Sequence, residues 1–109
     1  MADLEKIELH DAVLSGMTID YSLRVATVGL EFYSSEEERH RHPALITFHG
    51  IESISQICDL DQLAKNASRG NVNYWIPAEE GGTTYIYLVD GCLAIKAMRV
   101  AMKTDVSGA

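Results

Sequence analysis

Apolar and polar residues alternate along most of this chain, and the places where the alternation breaks are as informative as the runs. In AVLSGMTIDY (12–21), Ala12 and Leu14 share one parity while Met17 and Ile19 take the other. Ser15-Gly16 lies at the change, where a β-bulge would re-aim a strand. A turn around DYSLR (20–24) leads into VATVGLEFY (25–33), with Val28, Leu30 and Phe32 on one face and Thr27, Gly29 and Glu31 on the other. That pattern predicts a hairpin with one wet face. After a polar loop at 34–43, ALITFHGIESISQI (44–57) resumes extended structure with Ile46 and Phe48 inward, and Gly50 interrupts the alternation.

One segment changes period. In DLDQLAKNASRG, Leu60, Leu63, Ala64 and Ala67 fall at i, i+3, i+4 and i+7, predicting a short helix near 59–68 whose stripe docks on the sheet. Asp59 is placed to cap it, with Gln62 three residues on, and Gly70 to stop it in a left-handed conformation. Strand patterns then return in NVNYWIPA (71–78) and TTYIYLV (83–89), and Asp90-Gly91 predicts a type I′ hairpin turn into CLAIKAMRVAM (92–102). In that last run the parity passes from Leu93, Ile95 and Ala97 to Met98, Val100 and Met102, so a strand bent near 96–98 and a helix over 94–102 both fit. The expected fold is a β-rich α+β domain: about six mainly antiparallel strands in a bent sheet or small open barrel with one short helix. A single domain covers 1–109, with 104–109 a frayed tail; no sequence repeat or linker interrupts it.

Composition fits this picture. The chain has 109 residues, 47% of them hydrophobic and 23% charged, enough for a core without staples. No apolar run approaches the roughly 20 residues that span a bilayer, and MADLEKIELHD is not a signal peptide. A cytoplasmic location follows, in which Cys58 and Cys92 are reduced thiols and the Asn66-Ala67-Ser68 sequon is accidental. The net charge of −7 disfavours nucleic acid and anionic membrane surfaces as partners and favours a basic one.

Candidate chemistry is sparse. His10-Asp11 has the composition of half a catalytic pair, but strand neighbours point to opposite faces, and no nucleophile motif accompanies them. The reading is a polar entrance to the first strand, Asp11 bonding backbone and His10 half-exposed, with a ligand or partner contact as the alternative. His40, His42 and His49 beside Glu36–Glu38 raise a metal site, against which HxH in a charged loop is a weak signal; no metal or cofactor is assigned. Tyr74, Trp75, Tyr85 and Tyr87 fall on what should be neighbouring strands. Aromatic residues of this kind serve interfaces and pockets as well as plain cross-strand packing. If one site is to be named, it is this aromatic face, with His10 and His49 as further candidates.

The opening LHDAVLSGMTIDYSLRVATVGLEF and the closing YLVDGCLAIKA resemble short bacterial β-rich proteins that begin with a His-Asp-Ala lead-in. Some proteins of that kind are encoded beside polymorphic toxins and act as immunity proteins. The resemblance implies the β-rich fold and a binding role, and it transfers no site residue. Two function classes are therefore carried forward. One is a non-enzymatic protein-interaction module, with a basic partner or a second copy of itself. The other is a small-ligand or metal-binding β domain with an aromatic- and His-lined pocket.

Overall fold

Six antiparallel strands form one open sheet in the order β1-β2-β3-β6-β5-β4. The structure, a computed structural model, describes residues 4–35 and 37–104. The strands are β1 (Val13–Asp20), β2 (Val25–Phe32), β3 (His42–Cys58), β4 (Val72–Ile76), β5 (Thr83–Leu88) and β6 (Gly91–Thr104), with one helix, α1 (Leu60–Lys65), between β3 and β4. A 3-10 turn at Leu4–Lys6 precedes them.

The topology is two copies of one plan. β1-β2-β3 and β4-β5-β6 are each a three-stranded meander, and the long third strands of the two pair with each other from Ala44↔Thr104 to Cys58↔Gly91. β2 flanks only the first part of β3, ending at Val25↔His49, and β5 flanks only the first part of β6, ending at Thr83↔Lys96. The short strands therefore sit at opposite ends of a central ribbon. The ribbon must bend for both halves to bury the same face, and its parity breaks where it bends. Phe48 and Val100 share the inner face on one side of the break and Ile51 and Ala97 on the other, with Gly50 at positive φ between them and a register shift at Ile51/Ser53 just beyond. A second bulge, at Leu14/Gly16, accounts for the parity change in β1.

Inner-face residues from both halves join one core, including Val28, Ile46, Phe48, Ile86, Leu93 and Ile95. The chain's first residues complete it. Leu9 and Ala12 are fully buried, Leu4 and Ile7 pack against the same cluster, and the Trp75 indole donates to the Ile7 carbonyl at 2.9 Å. This segment also ties the edges together. Asp11 N–H donates to Val72 O, and both Asn71 and Val72 donate to Ala12 O. The buried Asn71 side chain accepts from Leu14 N and donates to Leu63 O, so β1, α1 and the entry to β4 meet on one amide whose oxygen and nitrogen are both bonded.

The β6 segment is strand throughout, which removes the helical alternative for 94–102. Three expectations need correction. The helix spans six residues rather than 59–68, and its stripe does not dock: Leu60, Ala64 and Ala67 are exposed, and only Leu63 reaches the core. The N-terminal segment packs against the same core through Leu4, Ile7, Leu9 and Ala12. The predicted start holds, since Asp59 Oδ1 accepts from Gln62 N at 3.1 Å, but the helix ends at Asn66, ahead of Gly70, which adopts φ +106 with its N–H bonded to Asn66 O. The β5–β6 turn is Val89-Asp90 rather than Asp90-Gly91, because Leu88 pairs with Gly91. Glycine at 91 answers to a neighbour instead: a Cβ there would land on the Ile57 carbonyl oxygen of β3. Finally, His10-Asp11 lies in a turn ahead of β1, with Asp11 at φ +66, and not in a strand. Of the expected tail, Thr104 still belongs to β6, and 105–109 lie outside the described residues.

Candidate protein-interaction face

Antiparallel registration puts directly paired residues on the same face. On the outer face of the second meander it builds two mixed rows across four strands. Tyr74, Tyr87, Cys92 and Ile57 form the first, and Ile76, Tyr85, Ala94 and Ser55 the second. The bulge between Val72 and Tyr74 sets the phase of β4, so that Tyr74 and Ile76 face out and Trp75 faces in. Tyr74 stacks on Tyr87 with ring centroids 4.7 Å apart and an interplanar angle of 25°, and Tyr87 on Tyr85 at 6.0 Å and 13°. The result is a ladder of three rings on neighbouring strands.

This face stands open to solvent. Tyr74 is 49% exposed, Ile76 48% and Ile57 73%. Isolated exposed apolar side chains are ordinary on any protein; here they are contiguous on one sheet face. The phenol of Tyr87 is pushed above the ordinary tyrosine value, first by desolvation and then by Tyr74, Cys92 and Tyr85, so that phenol is neutral at physiological pH. Cys58 and Cys92 are free thiols, both raised by burial and Cys58 further by Cys92, which leaves little thiolate.

The six named candidates do not assemble into one site. Tyr74, Tyr85 and Tyr87 come together as expected. Trp75 sits on the opposite, buried face, where Ile86 is its partner across the strand. His10 lies at the rim of β4, its Nδ1 2.9 Å from Asn73 O, and its Nε2 is 3.5 Å from Asp11 Oδ2. The two side chains thus do approach each other, against the strand-based expectation, because the turn at Asp11 brings them to one side. Both are exposed, and no hydroxyl or thiol nucleophile is recorded in contact with His10 among the described residues. His49 belongs to the other half, on the outer face of β3 between Val25 and Arg99. The histidines are equally dispersed: His42 Nε2 lies 3.5 Å from Glu38 Oε1, His40 is exposed in the loop, and Glu36 lies outside the described residues. Among the described residues no three His, Cys, Asp or Glu side chains gather as a metal site would require. In the RHRH run it is Arg41 that is anchored, bonding Asp11 O and Ser68 O and lying 4.9 Å from the Tyr33 ring centroid.

A groove of about 650 Å³ lies elsewhere, with Leu4, Pro77, Met98, Val100 and Met102 among its lining residues and none of the six candidates. Two members of the aromatic face, Ile57 and Ile76, were missed from the sequence. Ile57 follows a bulge that sequence parity cannot count through, and Ile76 is adjacent to Trp75, so only strand phase separates the exposed one from the buried one.

Comparison with protein-family models, with curated proteins and with solved structures yields no match. No helix among the described residues is long and apolar enough to cross a membrane.

Proposed function

We propose that the protein is a non-enzymatic interaction module that docks a partner protein on the tyrosine face of its second meander. One observation carries the reading: three stacked tyrosines and two exposed isoleucines lie together on a sheet face open to solvent. Tyrosine supplies large contact area with little side-chain entropy to lose, which is why it recurs among residues that dominate binding energy. The acidic balance of the chain favours a basic partner, whose approach it would steer. Such a role suits an immunity-type protein of bacteria. The free thiols Cys58 and Cys92 are in keeping with a cytoplasmic setting.

The test is co-purification from the source cells with three tagged forms: the native chain, Tyr85→Ser/Tyr87→Ser, and Thr27→Ser/Thr47→Ser on the first meander. A partner retained by the native and threonine forms and lost with the tyrosine pair supports the reading. Retention by all three sinks it. Sedimentation of the purified chain distinguishes the remaining occupant of this face, a second copy, by a concentration-dependent dimer that the tyrosine variant abolishes.

A further inference from the structure

Resting on that reading, we infer that the tyrosine ladder recognises arginine side chains of the partner, presented at alternate positions of an extended segment. The first argument is chemical. A neutral tyrosine ring offers a negative face to a cation, and a guanidinium is flat enough to stack on it while its N–H groups remain solvated. This chain already makes such a contact once, with Arg41 against Tyr33. No described arginine or lysine is recorded over Tyr74, Tyr85 or Tyr87.

The second argument is the charge around the ladder. Asp90, in the β5–β6 turn, and Asp59 adjoin the Cys58↔Gly91 pair, one step beyond the row of Tyr87, Cys92 and Ile57. Glu79 and Glu80, in the loop between β4 and β5, line the separate groove with Leu4 and Met98. Lys96 is the base in the third row, between Thr83 and Ser53, and its ammonium is 3.3 Å from Glu52 Oε2. Acids at the Asp59-Asp90 end and the electron-rich ring faces beside them complement a cationic strand; they would repel an acidic one.

The third argument is spacing. Alternate side chains of an extended peptide repeat at about 6.8 Å along one face. The Tyr85 and Tyr87 centroids are 6.0 Å apart and their rings are nearly parallel. Two arginines at i and i+2 of an extended segment can therefore each meet a ring.

The experiment uses the full chain and a synthetic probe, acetyl-Thr-Arg-Val-Arg-Thr-Arg-amide, titrated while the tyrosine ring resonances are followed by NMR. Comparators are the same peptide with citrulline, which keeps the planar shape without the charge, and with lysine. The expected result is movement of the Tyr74, Tyr85 and Tyr87 resonances and not those of Tyr21 and Tyr33. Affinity should fall about two- to fivefold for each arginine replaced by citrulline. Tyr87→Leu, which keeps apolar area and removes the ring, should weaken the arginine peptide by a similar factor while leaving the unfolding midpoint close to native. Equal binding of the citrulline peptide, or full binding to Tyr87→Leu, overturns the inference and leaves the docking face standing. Ring shifts that follow protein concentration without peptide overturn it in favour of a second copy. Failure of the docking reading itself shows up separately, in the co-purification.

Discussion

The two meanders share a plan and differ in what they show to solvent. On the outer face of the first, the registered rows are Thr18-Thr27-Thr47-Ala101 and Asp20-Val25-His49-Arg99, small or polar residues suited to a wet sheet face. Leu45, exposed, lies alone in its row between Gly29 and Lys103. On the second, the equivalent positions hold Tyr74, Ile76, Tyr85, Tyr87 and Ile57. Inside, both halves contribute aliphatic and aromatic residues, Phe32 and Phe48 from one and Trp75 from the other, to a common core. Folding accounts for what the halves have in common. It does not account for the aromatic outer face, because the first meander forms the same sheet without one, and that asymmetry is the ground for assigning function to the second.

The sharpest way to test the shared part is to open the core from each side. Phe48→Ala should cost about 3–5 kcal/mol in urea unfolding, since the ring is fully buried at the bend of the ribbon. Trp75→Phe, which removes the bond to Ile7 O and leaves a smaller void, should cost about 1–3 kcal/mol. Both should yield a single transition, and two separated transitions in either variant would show that the meanders fold as independent units. Gly91→Ala comes next, at about 2–4 kcal/mol, because β3 must retreat from the new Cβ where the ribbon closes.

Changes on the outer faces should do far less to stability. Tyr85→Ser should cost about 0.5–1 kcal/mol through the lost ring contact, and Thr27→Ser less. A much larger tyrosine effect would make the ladder a folding element and weaken the functional argument. Within the ladder, Tyr74→Phe removes one of the groups that raise the Tyr87 phenol, so Tyr87 should titrate at lower pH in an ultraviolet titration.

The smallest effect lies at the β1–β2 turn. The Asp20 carboxylate is held below its ordinary value by the Leu23 amide, then by the Ser22 hydroxyl. A depressed folded-state value means that its contribution is complete above the ordinary carboxylate range and is lost as pH falls through the folded value. Asp20→Asn should therefore lower stability slightly at neutral pH and make little difference well below about pH 4, flattening the profile between the two.

Much of this was legible in the sequence, for physical reasons that also mark where legibility ended. Alternation located all six strands, and the parity change at Ser15-Gly16 located a bulge, because side-chain period survives in the chain itself. Asp59 announced the helix start through local hydrogen bonding, and Gly70 a left-handed turn that lies beyond the helix end at Asn66. The failures all required tertiary knowledge. The α1 stripe has good helical spacing, yet of it only Leu63 reaches the core, which the Leu4–Ala12 segment also packs against. Val89-Asp90 became the turn because β3 sets what fits at 91. Among the site candidates, Tyr74, Tyr85 and Tyr87 could be grouped by strand proximity, whereas Trp75 and Ile76 exchange roles through a one-residue bulge in β4.

The most direct measurement is site-specific photocrosslinking in the source cells, with benzoylphenylalanine placed at Tyr85 in one protein and at Thr27 in another. The two positions occupy comparable places in the two meanders and differ in the face they belong to. The account predicts a discrete protein adduct from position 85 and only background from position 27. Equal adducts from both, or an adduct from 27 alone, would contradict it.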